Sequence, residues 1–226
     1  MNGYLESLYP FLDESHGIPE QVRSALAASV LAKARDSLKV KRAFFTRSGG
    51  ELIAAAEAVA AVYRRGGRMF TMGNGGSSCD AAHFAVEFLH PVTPGRPALT
   101  AVHLAADTAM LTAVGNDVGF DKIFVRQLIA QAAQGDGLVG FSTSGNSHNL
   151  LAAFRVAKEM QLVTLGFGGG DGGEMARSAG LDHCLVVPSA SIHRVQETHV
   201  TAYHILWDLV HTLLTDVRGR RQGGSA

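Results

Sequence analysis

One pattern recurs along this chain and limits its fold more than any other feature: a short β-prone run, a glycine- or serine-rich turn, then a helical stretch. Arg68-Met69-Phe70-Thr71-Met72 runs into Gly73-Asn74-Gly75-Gly76-Ser77-Ser78 and then a helical stretch. Leu138-Val139-Gly140-Phe141 runs into Ser142-Thr143-Ser144-Gly145-Asn146-Ser147 and a second helix, and Val163-Thr164-Leu165-Gly166-Phe167 runs into the glycines of 168–173. Residues 99–104 read as a further strand followed by a helix over 107–114, and 184–188 as a last strand that Pro188 ends. Strands alternating with helices of about 10–15 residues make βαβ crossovers around a parallel sheet covered on both faces. The apolar runs are continuous rather than alternating, which agrees with that double burial. The expected fold is therefore α/β: a three-layer parallel sheet flanked by helices, preceded by an N-terminal helical extension.

Two helices are expected before the sheet, over 21–46 and 51–65, the second stopped by Gly66-Gly67. A long helix over 195–217 follows the sheet. It is apolar around much of its circumference, so it needs cover on more than one side, which is assigned here to a subunit interface rather than to the chain's own N-terminal helices. The division expected is an extension at 1–48, an α/β domain at 49–217 and a basic, then Gly/Ser-rich tail at 218–226 read as disordered.

With 226 residues, 46% of them hydrophobic, the chain can bury one substantial core. Lys plus Arg numbers 20, as does Asp plus Glu, so no broad field draws nucleic acid. Cys79 and Cys184 form no CxxC pair, which suits a reducing compartment, the cytoplasm. Residues 1–10 lack the basic start and apolar run of a signal peptide, and no membrane span is expected.

The two Ser/Gly turns suit a phosphate. In an open α/β sheet, ligands bind beyond the carboxyl ends of the strands, where helices present free N–H groups and a positive dipole end. The hydroxyls of Ser142, Thr143, Ser144 and Ser147 can donate to phosphate oxygens, and the turn at 73–78 adds backbone donors and two more hydroxyls. Neither turn is a GxxxxGK[ST] loop, and Ser78 stands where GxGxxG needs its third glycine. The turn at 168–173 lacks hydroxyls and reads as a flexible connection.

His83 and Glu87 are four apart on the helix after the first turn and share a face, half of a metal site with zinc-compatible ligands. The last helix offers Gln196, Glu197, His199 and His204. Gln196 and His204 are two turns apart with a residual rotation of about 80°, whereas Gln196 and His199 align better. Helical spacing does not choose between the two histidines. His103, His193 and His211 read as ordinary surface or core histidines. Cys79, at a helix start, is assigned to packing rather than nucleophilic chemistry.

Taken in order, Gly73–Phe88 (GNGGSSCDAAHFAVEF), VGNDVGF at 114–120, FSTSGNSHN, GGDGGEMA and RVQETHVTAYHIL resemble the SIS (sugar isomerase) domain family, and within it the phosphoheptose isomerases. The resemblance implies a flavodoxin-like sheet and an aldose–ketose isomerase. That enzyme is a homotetramer with sites near subunit interfaces, converting sedoheptulose 7-phosphate to D-glycero-D-manno-heptose 7-phosphate. It implies one Zn²⁺ per subunit on His83, Glu87, Gln196 and His204, so the motif selects His204 over His199. Implied substrate contacts are Asn74, Gly75, Gly76, Ser77, Glu87, Asn116, Asp117, Ser142, Thr143, Ser144, Ser147 and Gln196. Enediol proton transfer needs a base and an acid, assigned to Glu87 and His204. The loop His90-Pro91-Val92-Thr93-Pro94-Gly95-Arg96 departs from the family pattern, its arginine coming late. Relatives that bind a replication initiator as scaffolds, or that sense sugar phosphates in regulators, give the alternative reading; no basic helix-turn-helix precedes the sheet, and the ligand set is intact.

Overall fold

The computed structural model describes residues 19–222, with side chains to Thr215. The described residues from Ser37 onward form one compact unit, which holds the sheet and both Ser/Gly turns; those before it group separately. The chain order is α1 (Glu20–Arg64), β1 (Met69–Gly73), α2 (Gly76–Leu89), β2 (Ala101–His103), α3 (Thr108–Asp117), a 3₁₀ turn (Phe120–Lys122), α4 (Ile123–Gln131), β3 (Gly137–Ser142), α5 (His148–Glu159), β4 (Val163–Gly169), α6 (Gly173–Arg177), β5 (His183–Val187) and α7 (Ile192–Gln222). The expected α/β architecture with helices on both faces is what the chain adopts.

All five strands are parallel, in the order β2-β1-β3-β4-β5. After β1 the chain turns toward β2, and after β3 it turns the other way, toward β4. A crevice therefore opens between β1 and β3 at their carboxyl ends, the place where such sheets bind ligands. The two turns singled out above leave these two strands.

Alternation along the strands splits the core into two layers. Met69, Val139, Phe141, Leu165, Phe167, Leu185 and Val187 face α1, α2 and α7. Phe70, Met72 and Leu138 face α4, α5 and α6. Phe141 and Phe167 stack with ring centroids 4.7 Å apart, both fully buried.

Three local expectations change. The two helices at 21–46 and 51–65 are one, α1, which continues through Gly49 and Gly50. Each glycine costs a helix about 1 kcal/mol relative to alanine. The apolar stripe of Phe44, Leu52, Ala55, Ala56 and Val59 is buried on both sides of the pair and holds the helix in register. The helix then ends as expected, with Gly66 at φ 83°. The boundary drawn at 48/49 lies inside α1. One face of α7 is covered by its own chain: Val195, Ala202, Tyr203, Leu206 and Val210 pack in one cluster with α1 residues from Phe44 onward. It also extends to Gln222, past the expected end at Val217, so the first part of the tail read as disordered is helical; residues 223–226 lie outside the described region. No described helix is long and apolar enough to cross a membrane.

The turn at 168–173 is a packing element and not a loose connection. Gly145 has φ +68°, and a Cβ there would overlap the Gly172 carbonyl oxygen and stand 2.5 Å from its carbon. The Met175 N–H donates to Gly145 O (2.9 Å) and the Glu174 N–H to Asn146 Oδ1 (2.9 Å), fastening the β4 turn to the β3 turn.

Candidate active site

The β3 turn presents hydroxyls that its own helix does not consume. Ser147 is the N-cap of α5, yet its side chain makes no capping bond. Its Oγ lies 2.9 Å from Ser142 Oγ, whose oxygen also accepts from the Gly145 N–H at 3.2 Å. Ser144 is exposed and its Oγ accepts from the Asn146 N–H, while Thr143 is half-buried. Across the crevice, Gly75 precedes α2 without any side-chain cap, and Gly75 and Gly76 are exposed. Asn74 and Asn149 exchange two amide hydrogen bonds of 2.9 Å each, tying the first turn to the helix after the second. Ser77 is buried, and Ser78 Oγ lies 3.2 Å from His103 Nε2. His103, read as an ordinary histidine, is in fact a strut of this turn: its other nitrogen meets Thr71 Oγ1 at 3.1 Å, and burial lowers its pKa.

α2 carries the next layer. His83 Nε2 lies 3.1 Å from Glu87 Oε1, the i,i+4 contact expected from the sequence. α7 brings His204, whose Nε2 lies 3.8 Å from the same Glu87 oxygen. One ligand atom from each of the three falls within 4.8 Å of the others, the one such group among the described residues. Of the two histidines left open by helical spacing, packing brings His204 to this pair. His199 is fully buried between Phe141 and Phe167, with Nε2 3.0 Å from Gly168 O, and takes no part in the cluster.

This group fits a divalent metal. Two imidazoles and a carboxylate are borderline ligands of the kind zinc takes, and all three side chains are partly exposed. A ligating histidine must be neutral. Burial lowers the His204 pKa; the charge of Glu87 opposes this and that of His83 adds to it. Gln196, the fourth expected ligand, packs on Gly76: a Cβ there would overlap its Nε2 and stand 3.3 Å from Cδ. That contact joins α7 to the first turn.

Several residues missed in the sequence hold this group. The Tyr203 hydroxyl lies 2.6 Å from His83 Nδ1. Trp207 Nε1–H donates to the Glu87 carbonyl at 2.8 Å, capping the last turn of α2. Asp80 is buried on the His83 face of α2 with Oδ2 unpartnered, and burial raises its pKa to about 6 against the charge of His83. Tyr203 and Trp207 lie beside His204 in the quoted motif, but aromatic residues on an apolar helix carry no signal apart from packing. Arg96 pairs with Asp208 and lies 4.4 Å over the Trp207 ring, so it braces that indole. Asn116 and Asp117 stand exposed at the end of α3 and hydrogen-bond to each other at 2.8 Å. Cys79, assigned to packing, is exposed. His193 is exposed, and His211 is buried with neither ring nitrogen hydrogen-bonded.

The SIS domain family model matches residues 34–169. A phosphoheptose isomerase of Desulfovibrio desulfuricans is 45% identical over 181 residues, 80% of this chain and 85% of that protein. The structure of a phosphoheptose isomerase from Neisseria gonorrhoeae is 36% identical with a TM-score of 0.77, covering 83% of this chain and 99% of that one. One from Francisella tularensis is 31% identical with a TM-score of 0.78, covering 82% and 98%. With a family model matching more than half of the chain and relatives of this identity and coverage, the chain belongs to the SIS domain family, among the phosphoheptose isomerases.

Proposed function

We propose that the chain interconverts sedoheptulose 7-phosphate and D-glycero-D-manno-heptose 7-phosphate in the crevice between β1 and β3. The observation that carries this reading is the meeting of His83 and Glu87, on the helix launched from the first turn, with His204 from α7. The phosphate is anchored by Ser142, Thr143, Ser144 and Ser147 with the first amides of α5, a site that needs no lysine. Asn74, Gly75, Gly76 and Ser77 line the opposite side.

Isomerisation moves one proton from C1 to C2 and another from O1 to O2 through an enediol. Glu87 takes the carbon-bound proton and returns it to the neighbouring carbon. His204 gives a proton to the carbonyl oxygen and recovers one from the hydroxyl that becomes the new carbonyl. Its lowered pKa keeps the imidazole neutral, so it acts as a neutral donor. Glu87 and Gln196 also contact the sugar. The metal is assigned to zinc, held by His83, Glu87, Gln196 and His204; when bound it supplies Lewis-acid polarisation of the substrate oxygens. An intact acid/base group has no use in a pure scaffold, which disfavours the binding-module alternative.

The assembly is a homotetramer in this reading. Leu26, Val30, Leu31 and Leu38 on α1 are each more than half exposed, apolar surface that another subunit would cover. Exposed Asn116 and Asp117 suit a contact made across such an interface. The setting is the cytoplasm, where the free Cys79 and Cys184 stay reduced. A coupled assay across heptulose, hexulose and pentulose phosphates, with and without chelator, tests the whole reading. Heptulose phosphate should be preferred, with turnover lost to chelator and restored by zinc. Equal turnover of all three classes, or indifference to chelator, contradicts it.

A further inference from the structure

Tyr203 sits on α7 directly before His204, fully enclosed, with its hydroxyl 2.6 Å from His83 Nδ1. Its ring is held on several sides: centroids lie 5.8 Å from Phe141, 6.3 Å from Phe84, 5.4 Å from His83 and 4.9 Å from His204. A phenol so packed cannot swing away from the imidazole. Meanwhile His83 Nε2 faces Glu87 at 3.1 Å.

Which nitrogen of a histidine carries the proton is set by the partner of the other nitrogen. With Nε2–H donating to the Glu87 carboxylate, Nδ1 is a bare acceptor and receives the Tyr203 O–H. If Nε2 instead gives its lone pair to a cation, the proton must sit on Nδ1, and the Tyr203 oxygen accepts it. A hydroxyl is one of the few side-chain groups that can serve both states without moving, because it both donates and accepts. We propose that Tyr203 is the positioning residue of the metal site: it fixes the His83 ring with Nε2 toward Glu87 and His204, and reverses its hydrogen bond when the metal enters. This rests on the metal reading of the His83–Glu87–His204 group.

Phenylalanine at 203 keeps the ring and removes the partner. Full-length parent and Tyr203→Phe, stripped by chelator, are titrated with zinc against a chromophoric competitor. The variant should bind zinc about 10- to 100-fold more weakly, the usual cost of losing the hydrogen-bond partner of a ligating histidine. Long-range ¹H–¹⁵N spectra of the parent give a second readout that a purely structural tyrosine would not move. They should show His83 with its proton on Nε2 without metal and on Nδ1 with zinc. Equal zinc affinity in parent and Tyr203→Phe overturns the role of Tyr203 alone, as does an Nδ1-protonated His83 in the metal-free parent. A parent that binds no zinc overturns the metal reading together with it.

Discussion

Replacing Gly145 by alanine probes how the phosphate turn is built. The native φ of +68° is strained for any residue with a Cβ, at about 1–2 kcal/mol. The new methyl would overlap the Gly172 oxygen and stand 2.5 Å from its carbon, where ordinary contact begins at 3.4 Å. The β3 and β4 turns must then part by about 1 Å, which breaks the bonds from Met175 N–H to Gly145 O and from Glu174 N–H to Asn146 Oδ1. An amide left buried and unpaired costs about 1–3 kcal/mol. Only the Met175 amide is buried, so the total is about 2–5 kcal/mol, a large part of a typical domain's stability. Gly170 is the control: its φ is +66°, but a Cβ there meets nothing within 4 Å, so alanine carries the strain without the collision. Urea unfolding should place Gly145→Ala at least about 1 kcal/mol below Gly170→Ala. Whatever folded Gly145→Ala remains should show a raised KM for sugar phosphate and a smaller change in kcat, because in the proposed function the turn holds the non-reacting end of the substrate. Equal stability of the two variants, with an unchanged KM, would refute the packing account of the 168–173 turn.

His199 predicts a pH dependence of stability. Burial lowers its folded pKa to about 4 from an ordinary 6.5, so the unfolded chain binds the extra proton between these values. Its contribution is complete above pH 6.5 and is lost as pH falls toward 4, amounting to about 3 kcal/mol; urea titrations across that range should show the decline, and His199→Phe should flatten it. Phe141→Ala removes a ring stacked on Phe167 in the main core and should cost about 3–5 kcal/mol by the same measurement. Trp207→Phe keeps the stacking surface for Arg96 but loses the donor to the Glu87 carbonyl, so stability should fall by about 1 kcal/mol while kcat falls more than KM changes.

The fold was legible where local signals agreed with burial. The runs before Gly73 and Ser142 are continuously apolar because β1 and β3 are covered on both faces, and a serine or glycine turn follows each. The helix break expected at Gly49-Gly50 was not there to be found: its local cost is small beside the apolar stripe on either side. In the site, the His83–Glu87 pair is a helical contact and could be read from spacing. The choice of His204 over His199 is tertiary, since it depends on which face of α7 meets Phe141 and Phe167 and which meets α2. Tyr203, Trp207 and His103 act through single hydrogen bonds across elements, and residue type alone does not announce such partners.

Glu87 carries the central claim, that its carboxylate moves the proton between C1 and C2. Its most direct test compares parent and Glu87→Gln, both zinc-loaded, for turnover of sedoheptulose 7-phosphate, with binding of the same sugar phosphate followed by calorimetry. Turnover should fall by about 10²- to 10⁴-fold, the usual contribution of a positioned base, while binding stays measurable through the turn at 142–147. Turnover within a few-fold of the parent would contradict the account.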